Sequence, residues 1–393
     1  MIFVDRPYVS DFLKDTIRKN KFPLVQTEVA GELGFNEGYN FLNEEDAIQS
    51  AKSTEPLLIY TNSENSIGWI AEHLKFTGLP EKINLFKDKI KFRKMIKPLF
   101  PDFYFKEVIV NDLDELNIDH VPIPFVIKPS VGFFSVGVHL VSSRDEWEDT
   151  KKTIRADLHA MEDAYPPEVI DTSVFIIEEI VEGDEFAVDA YFDSEGDPVI
   201  LNIYKHIFSS ENDVGDRVYI SSKKIIEKNL VRFTQFLKEI GKLAEVRNFP
   251  VHAELRESAS GVIMPIEINP MRFGGLCTTA DMTWFSYGFN PYEYYFYQKR
   301  PDWEEILKDK AGKLYNIVVL DNSTGIDVAK ITSFNYDRLM KRFENPIELR
   351  KLDYKKYSVF GFLFTETKDD NFKELEDILN SDLREYIVVE QIP

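Results

Sequence analysis

The stretch FPVHAELRESASGVIMPIEINPMRFGG, residues 249–275, decides the fold. It reads as two strands, Val251–Leu255 and Ile263–Ile268, with a turn signal at Ser258–Gly261 between them. Side chains alternate along a strand, so His252, Glu254 and Arg256 share one face, and Pro265, Glu267 and Asn269 share one on the return. The opposite faces carry Val251, Ala253, Leu255 and Met264, Ile266, Ile268, all apolar and suited to a core. A two-residue turn at Ser260–Gly261 sets Glu254 across from Glu267 and His252 across from Asn269. Carboxylates so placed repel, with Cβ atoms about 4.5–5.5 Å apart. A divalent cation between them removes the repulsion. Magnesium takes one or two protein carboxylates and fills its octahedron with water and phosphate oxygens. Asn269 adds a neutral oxygen on the same face, and Arg272 and Gly274–Gly275 follow at once, a cation and room for close backbone approach. The alternative is a solvated hairpin whose acids are neutralised by Arg256.

Working outward, 393 residues predict about two or three structural units with a large core. Hydrophobic residues at 44% and charged residues at 29% suit a soluble globular enzyme. The net charge of −21 argues against a nucleic-acid surface, which needs a basic patch, but not against a nucleotide site, which needs a few placed cations. The single cysteine, Cys277, rules out an internal disulfide framework, fits a reducing compartment, and reads as a small buried hydrophobe. No apolar run approaches the ~18 residues of a membrane span, and the N-terminus lacks an apolar signal-peptide core. A cytoplasmic protein is expected.

Residues 1 to about 88 read as a small α/β unit with no GxGxxG, a scaffold that lends residues such as Glu64 to a substrate pocket. Leu85–Ile96 reads as one basic amphipathic helix with Lys89 and Arg93 four apart on a face. Lys89 is a phosphate contact if a polyphosphate lies near, and a solvated lysine otherwise. Phe125–Lys128 reads as a strand ending in a lysine. The Gly/Ser loop PSVGFFSVG, residues 129–137, follows, a cradle for phosphate or an ordinary hairpin with Lys128 exposed. In FIIEEIVEGDEF, residues 175–186, backbone groups of Glu179–Val181 form an apolar hinge able to bond an adenine edge. Glu185, at the start of the next strand, can accept from two ribose hydroxyls; the alternative is a solvated acidic turn. Residues 301–393 read as a closing unit of strands and helices with no evident chemistry.

In this order the motifs resemble the ATP-grasp superfamily. The loop Lys128-Pro129-Ser130…Ser135-Val136-Gly137 is similar to that of D-alanine–D-alanine ligases, and EINP followed by RFGG is similar to the metal signature of carboxylate–amine ligases, biotin carboxylase-like enzymes included. The resemblance covers roughly residues 55–290. It implies an ATP-grasp fold, α/β and α+β: an N-terminal α/β domain (1–88), an ATP-grasp domain (89–300, subdomains about 89–170 and 171–300) and a small C-terminal α+β unit (301–393). It implies that Lys89, Lys128 and Ser135 contact the ATP phosphates. Glu178, Glu179 and Val181 would line the adenine site, largely through backbone, and Glu185 would hold the ribose. Glu254, Glu267 and Asn269 would bind Mg²⁺, with Mn²⁺ as a replacement. Arg272, with Lys128, would act in catalysis by stabilising an acyl phosphate or tetrahedral intermediate.

Two departures stand out: Met271 separates Pro270 from Arg272, and Phe133 and Phe134 replace glycines in the loop. The implied activity is ATP-dependent joining of a small-molecule carboxylate to an amine, with a homodimer as a compatible assembly and no nucleic acid or membrane partner. A small-molecule kinase and a non-catalytic ATP-binding module are the alternatives.

Overall fold

In a computed structural model the described residues are 1–132, 137–164, 171–210, 215–357 and 359–389. Four short strands, β1 (Ile2–Phe3), β2 (Pro23–Val25), β3 (Asn40–Leu42) and β4 (Tyr60–Thr61), form a parallel sheet in the order β3-β2-β1-β4. Of the apolar run from Pro56 to Tyr60, only Tyr60 is strand, in β4. Helix Asp11–Asn20 crosses over from β1 to β2; Ser10 caps it, accepting from the Leu13 N–H, and Leu13 and Ile17 turn into the core.

A second sheet holds β5 (Phe105–Ile109), β6 (Phe125–Val131), β7 (His139–Val141) and β8 (Asp171–Glu179), antiparallel in the order β5-β8-β6-β7. Lys128 therefore sits in the middle of β6, not at its end.

The large sheet is built from β9 (Asp184–Phe192), β10 (Pro198–Ile207), β11 (Val218–Ser221), β12 (Phe249–Glu257), β13 (Ile263–Pro270) and β14 (Lys313–Asp321). Beyond β14, β15 (Ile331–Phe334) pairs with β18 (Ile387–Val389), while β16 (Asn345–Lys351) and β17 (Val359–Lys368) return to the large sheet. Its eight strands run β13-β12-β9-β10-β11-β14-β17-β16. Strand β11 is the splice: it pairs with β10 on one side and β14 on the other, so residues 301–393 extend the sheet that carries the 249–275 hairpin.

The single basic helix expected over Leu85–Ile96 is two helices, Leu79–Lys87 and Lys89–Ile96. Asp88 breaks the run: its extended backbone ends the first helix, and its carboxylate caps the second by accepting from the Ile90 and Lys91 N–H groups. The break aims Lys89 and Arg93 inward, and both are buried. Residues 278–296 likewise form two helices, Thr278–Tyr287 and Pro291–Phe296, parted at Gly288 and recapped by Asn290.

Candidate active site around the β12–β13 hairpin

The hairpin has the expected pairing where it matters: Glu254 faces Glu267 and His252 faces Asn269. The route differs. The turn is a three-residue loop, Ala259 to Gly261, with Ser258 bonded to Val262 and Gly261 at φ +83°, the left-handed position such loops end on. That alone would shift the register by one. Ile266 is an extra residue in β13, so Leu255 pairs with Pro265 while Glu254 still pairs with Glu267. The bulge also turns Pro265, rather than Met264 or Ile266, into the buried position.

The Asn269 amide lies 3.5 Å from Glu254 Oε1, and Lys89 Nζ lies 3.4 Å from Glu267 Oε2. Burial, then the facing Glu267, then Glu185 and Asp216, push the Glu254 carboxyl up to about 8. Two carboxylates held this close in a half-buried site suit a cation. Among the described residues no three His, Cys, Asp or Glu side chains converge as a closed cage. The hard-oxygen set of two carboxylates and one amide is what magnesium takes when phosphate oxygens and water complete its shell. Arg256 does not neutralise this pair: it binds Glu185 at 2.9 Å and donates to the Val181 carbonyl at 2.7 Å.

Lys89 Nζ also reaches the Gly132 carbonyl at 3.4 Å, at the start of the Gly/Ser loop. The loop's Ser135, Phe133 and Phe134 lie outside the described residues.

A second cluster is a buried triad. Glu178 takes Lys128 Nζ at 2.8 Å on one oxygen and Arg93 Nε on the other. Arg93 is 2% exposed, packs over the Phe103 ring and donates to the Pro265 carbonyl at 2.7 Å, so it ties β8 to β13. Burial opposes the Glu178 charge, but Lys128 and Arg93 outweigh it and bring the carboxyl down to about 2. Lys128, expected at a strand end, is instead enclosed. Glu178, expected to act through its backbone, spends its side chain here. Of the other hinge groups, the Glu179 N–H donates to the Tyr104 carbonyl and the Val181 carbonyl is held by Arg256.

Glu185 sits at the start of β9, in register with Arg256 on β12. His206 Nδ1 is 2.9 Å from its other oxygen, and the imidazole stacks on Tyr219, 4.3 Å between ring centres. Burial raises the Glu185 carboxyl, but His206 and Arg256 leave it below its ordinary value.

Arg272 joins the hairpin to the N-terminal unit. Its guanidinium lies 2.9 Å from Glu64 Oε1, and Lys87 lies 2.6 Å from Oε2. These two cations overcome burial and bring the Glu64 carboxyl down to about 2. Past Arg272 the Gly274 N–H donates to Asp189 Oδ1 (3.0 Å) and Thr279 Oγ1 (2.8 Å). A Cβ on Gly274 would fall 2.3 Å from Thr279 Oγ1, so only glycine lets the chain pass.

Sequence reasoning did not single out Arg93, Lys87 or His206 as site residues. For Arg93 the signal was the i, i+4 repeat with Lys89 on one helix face. For His206 it was a place on the strand next to Glu185.

Residues 121–280 match the family model described as the ATP-grasp domain. No curated protein matches the sequence. Among solved structures, the fold is similar to the L-amino acid ligase from Bacillus licheniformis, at 16% identity, covering 99% of this chain and 98% of that one, TM-score 0.69. It is similar to N5-carboxyaminoimidazole ribonucleotide synthetase from Thermotoga maritima, at 14% identity, 99% of each chain, TM-score 0.63. It is similar to biotin carboxylase from Campylobacter jejuni, at 13% identity, 99% and 92% covered, TM-score 0.61. The matched stretch, residues 121–280, spans the hairpin, the Lys128 strand and the Glu178–Glu185 hinge, so this part of the chain is similar to the ATP-grasp domain.

Proposed function

We propose that this chain is an ATP-dependent ligase of the cytoplasm that converts a small-molecule carboxylate to an acyl phosphate and joins it to an amine, releasing ADP and phosphate. The observation that carries this is the facing pair Glu254 and Glu267 with Asn269 beside it, on a hairpin tied to Lys89, Arg93 and Arg256. The solved relatives, named as an amino acid ligase, a ribonucleotide synthetase and a biotin carboxylase, favour a ligase among ATP-grasp activities.

A carboxylate is a poor electrophile because its leaving group is oxide; phosphorylation supplies a better one. The protein's contribution is then positioning and charge neutralisation. Glu254, Glu267 and Asn269 would hold Mg²⁺, or Mn²⁺ in its place, which when bound acts as Lewis acid and template for the phosphates. Lys89 and Lys128 are buried cations whose present partners are carboxylates, and a polyphosphate offers both a stronger anion. Arg272, held by Glu64, would stabilise charge on the acyl phosphate or the tetrahedral adduct. Glu185 would take the ribose hydroxyls.

A screen of amino acids and small acids in pairs, with ADP release and product mass as readouts, tests the reading. ADP release that needs both an acid and an amine, with a product of the condensed mass, is expected. ADP release with a phosphorylated hydroxyl and no amine requirement would make the protein a kinase, and no Mg·ATP binding by calorimetry would remove the nucleotide site altogether.

Glu185→Gln should raise the ATP KM about tenfold and lower kcat less, since a ribose contact is made equally in ground and transition states. Steady-state kinetics checks this, and a loss confined to kcat would move Glu185 to the chemistry.

A further inference from the structure

The segment from Met271 to Cys277 is held in an unfavourable backbone conformation. Met271 lies at φ +66°, and Leu276 and Cys277 follow one another at +56° and +60°. None is glycine, and left-handed backbone at such residues is unfavourable and persists only where the surroundings over-determine it. The surroundings come from three parts of the chain. Thr61 of the N-terminal sheet donates to the Met271 carbonyl, 2.8 Å. Asp189 of β9 takes the Gly274 N–H. At the far end, Arg350 of β16 donates from Nη1 to the Leu276 carbonyl, 2.8 Å.

Arg350 is itself held at both terminal nitrogens, while its buried Nε has no hydrogen-bond partner. Its Nη2 pairs with Asp281, whose second oxygen accepts from Ser10 Oγ at 3.1 Å. The guanidinium lies between the Tyr8 and Phe364 rings, 5.0 Å from each centre. Both Arg350 and Asp281 are buried. A buried ion pair of this sort adds little stability by itself, but it defines one geometry.

We propose that Arg350 is a positioning residue for the Arg272–Gly274 segment, so that residues 301–393, in which the sequence shows no chemistry, supply one side of the catalytic loop. It acts through the Leu276 carbonyl: while that carbonyl is held, the left-handed pair Leu276–Cys277 is the stable form, and Arg272 is delivered to Glu64. The loop's catalytic meaning rests on the ligase reading; the holding of the loop does not.

Arg350→Lys keeps a charge against Asp281 but lacks the planar fork that reaches two acceptors at once. Expected in this variant is amide hydrogen exchange faster by about tenfold across residues 273–277, with exchange in β14 and β17 little changed. The Mg·ATP Kd should stay within about threefold of wild type, while kcat for ADP release, with a substrate pair from the screen, falls about tenfold. Adding Leu276→Asn should restore part of the protection, because asparagine is of similar size and visits the left-handed conformation more readily than leucine. Should Arg350→Lys fail to fold, Asp281→Asn, which keeps the side-chain shape and loosens the guanidinium, carries the same expectation. Unchanged exchange at 273–277 in a folded variant, or an increase spread evenly through the sheet, overturns the proposal. So does a double variant that exchanges as fast as the single one. Exchange is read without substrate, so failure here is distinct from failure of the ligase reading, which the ADP-release screen reports.

Discussion

In Glu267→Gln, turnover should fall by orders of magnitude while the metal-free protein should keep its stability or gain up to about 1 kcal/mol, the scale of a cross-strand pair. The two effects have one cause. Glu267 faces Glu254 across the hairpin, and burial together with that facing charge raises the Glu254 carboxyl to about 8. A carboxyl raised in the folded state contributes stability that is present at low pH and lost as pH climbs through its folded value. Between the ordinary carboxylate range and about 8, the wild-type protein without metal therefore loses stability as pH rises. Glu267→Gln should lower the Glu254 carboxyl and flatten that loss, so the gain should be largest above about pH 8 and small near pH 5. Part of the gain is offset because Lys89, 3.4 Å from Glu267, loses its partner. With Mg·ATP present the same change removes one of the two carboxylates that would hold the ion, and the loss reaches the transferring phosphoryl group. Thermal unfolding at several pH values with and without Mg·ATP, beside a turnover assay, checks both halves. Near-wild-type turnover would mean that the hairpin is only a solvated pair of strands.

The Glu254–Glu267 pairing was legible because strand alternation and a turn signal are local features, and residues 249–275 contain both. It was reached through a compensation that local signals do not show: a loop one residue longer than expected, cancelled by the bulge at Ile266. The break at Asp88 was legible in principle, since Asp before a basic run is a cap, but an unbroken amphipathic reading of Leu85–Ile96 hid it. The partners of the site residues were not legible. Glu64 meets Arg272 from 208 positions away, and Arg350 meets Asp281 from 69. Such contacts arise from how the N-terminal sheet meets the end of the hairpin and how the β14–β17–β16 edge packs against residues 276–287, which periodicity does not encode. Strand β11, only Val218–Ser221, is too short to announce itself, yet it joins 301–393 to the large sheet.

Arg93→Met should destabilise the protein by about 3 kcal/mol or more, the range seen when one partner of a buried ion pair is removed. Arg93 looks ordinary in sequence, a helix cation one turn past Lys89. In the structure it is 2% exposed and meets three things at once: the Glu178 carboxylate, the Pro265 carbonyl and the Phe103 ring. Methionine fills similar space, so the loss is not mainly a cavity. It comes from Glu178, left buried with Lys128 alone, and from a β13 carbonyl left without its donor two residues before Glu267. The dependence on Glu178 can be isolated. In a double-mutant cycle with Glu178→Gln, the two changes should be less than additive by about 1–3 kcal/mol, because removing the carboxylate removes the charge that Arg93 neutralises. Nucleotide affinity should fall as well. Without Arg93, Lys128 is the sole counter-charge to Glu178, and moving it onto a phosphate strands a buried carboxylate. Denaturant unfolding and Mg·ATP calorimetry measure the two losses. A stability change below about 1 kcal/mol with additive behaviour would show that the pair is solvated and that β8 and β13 are held together by other contacts.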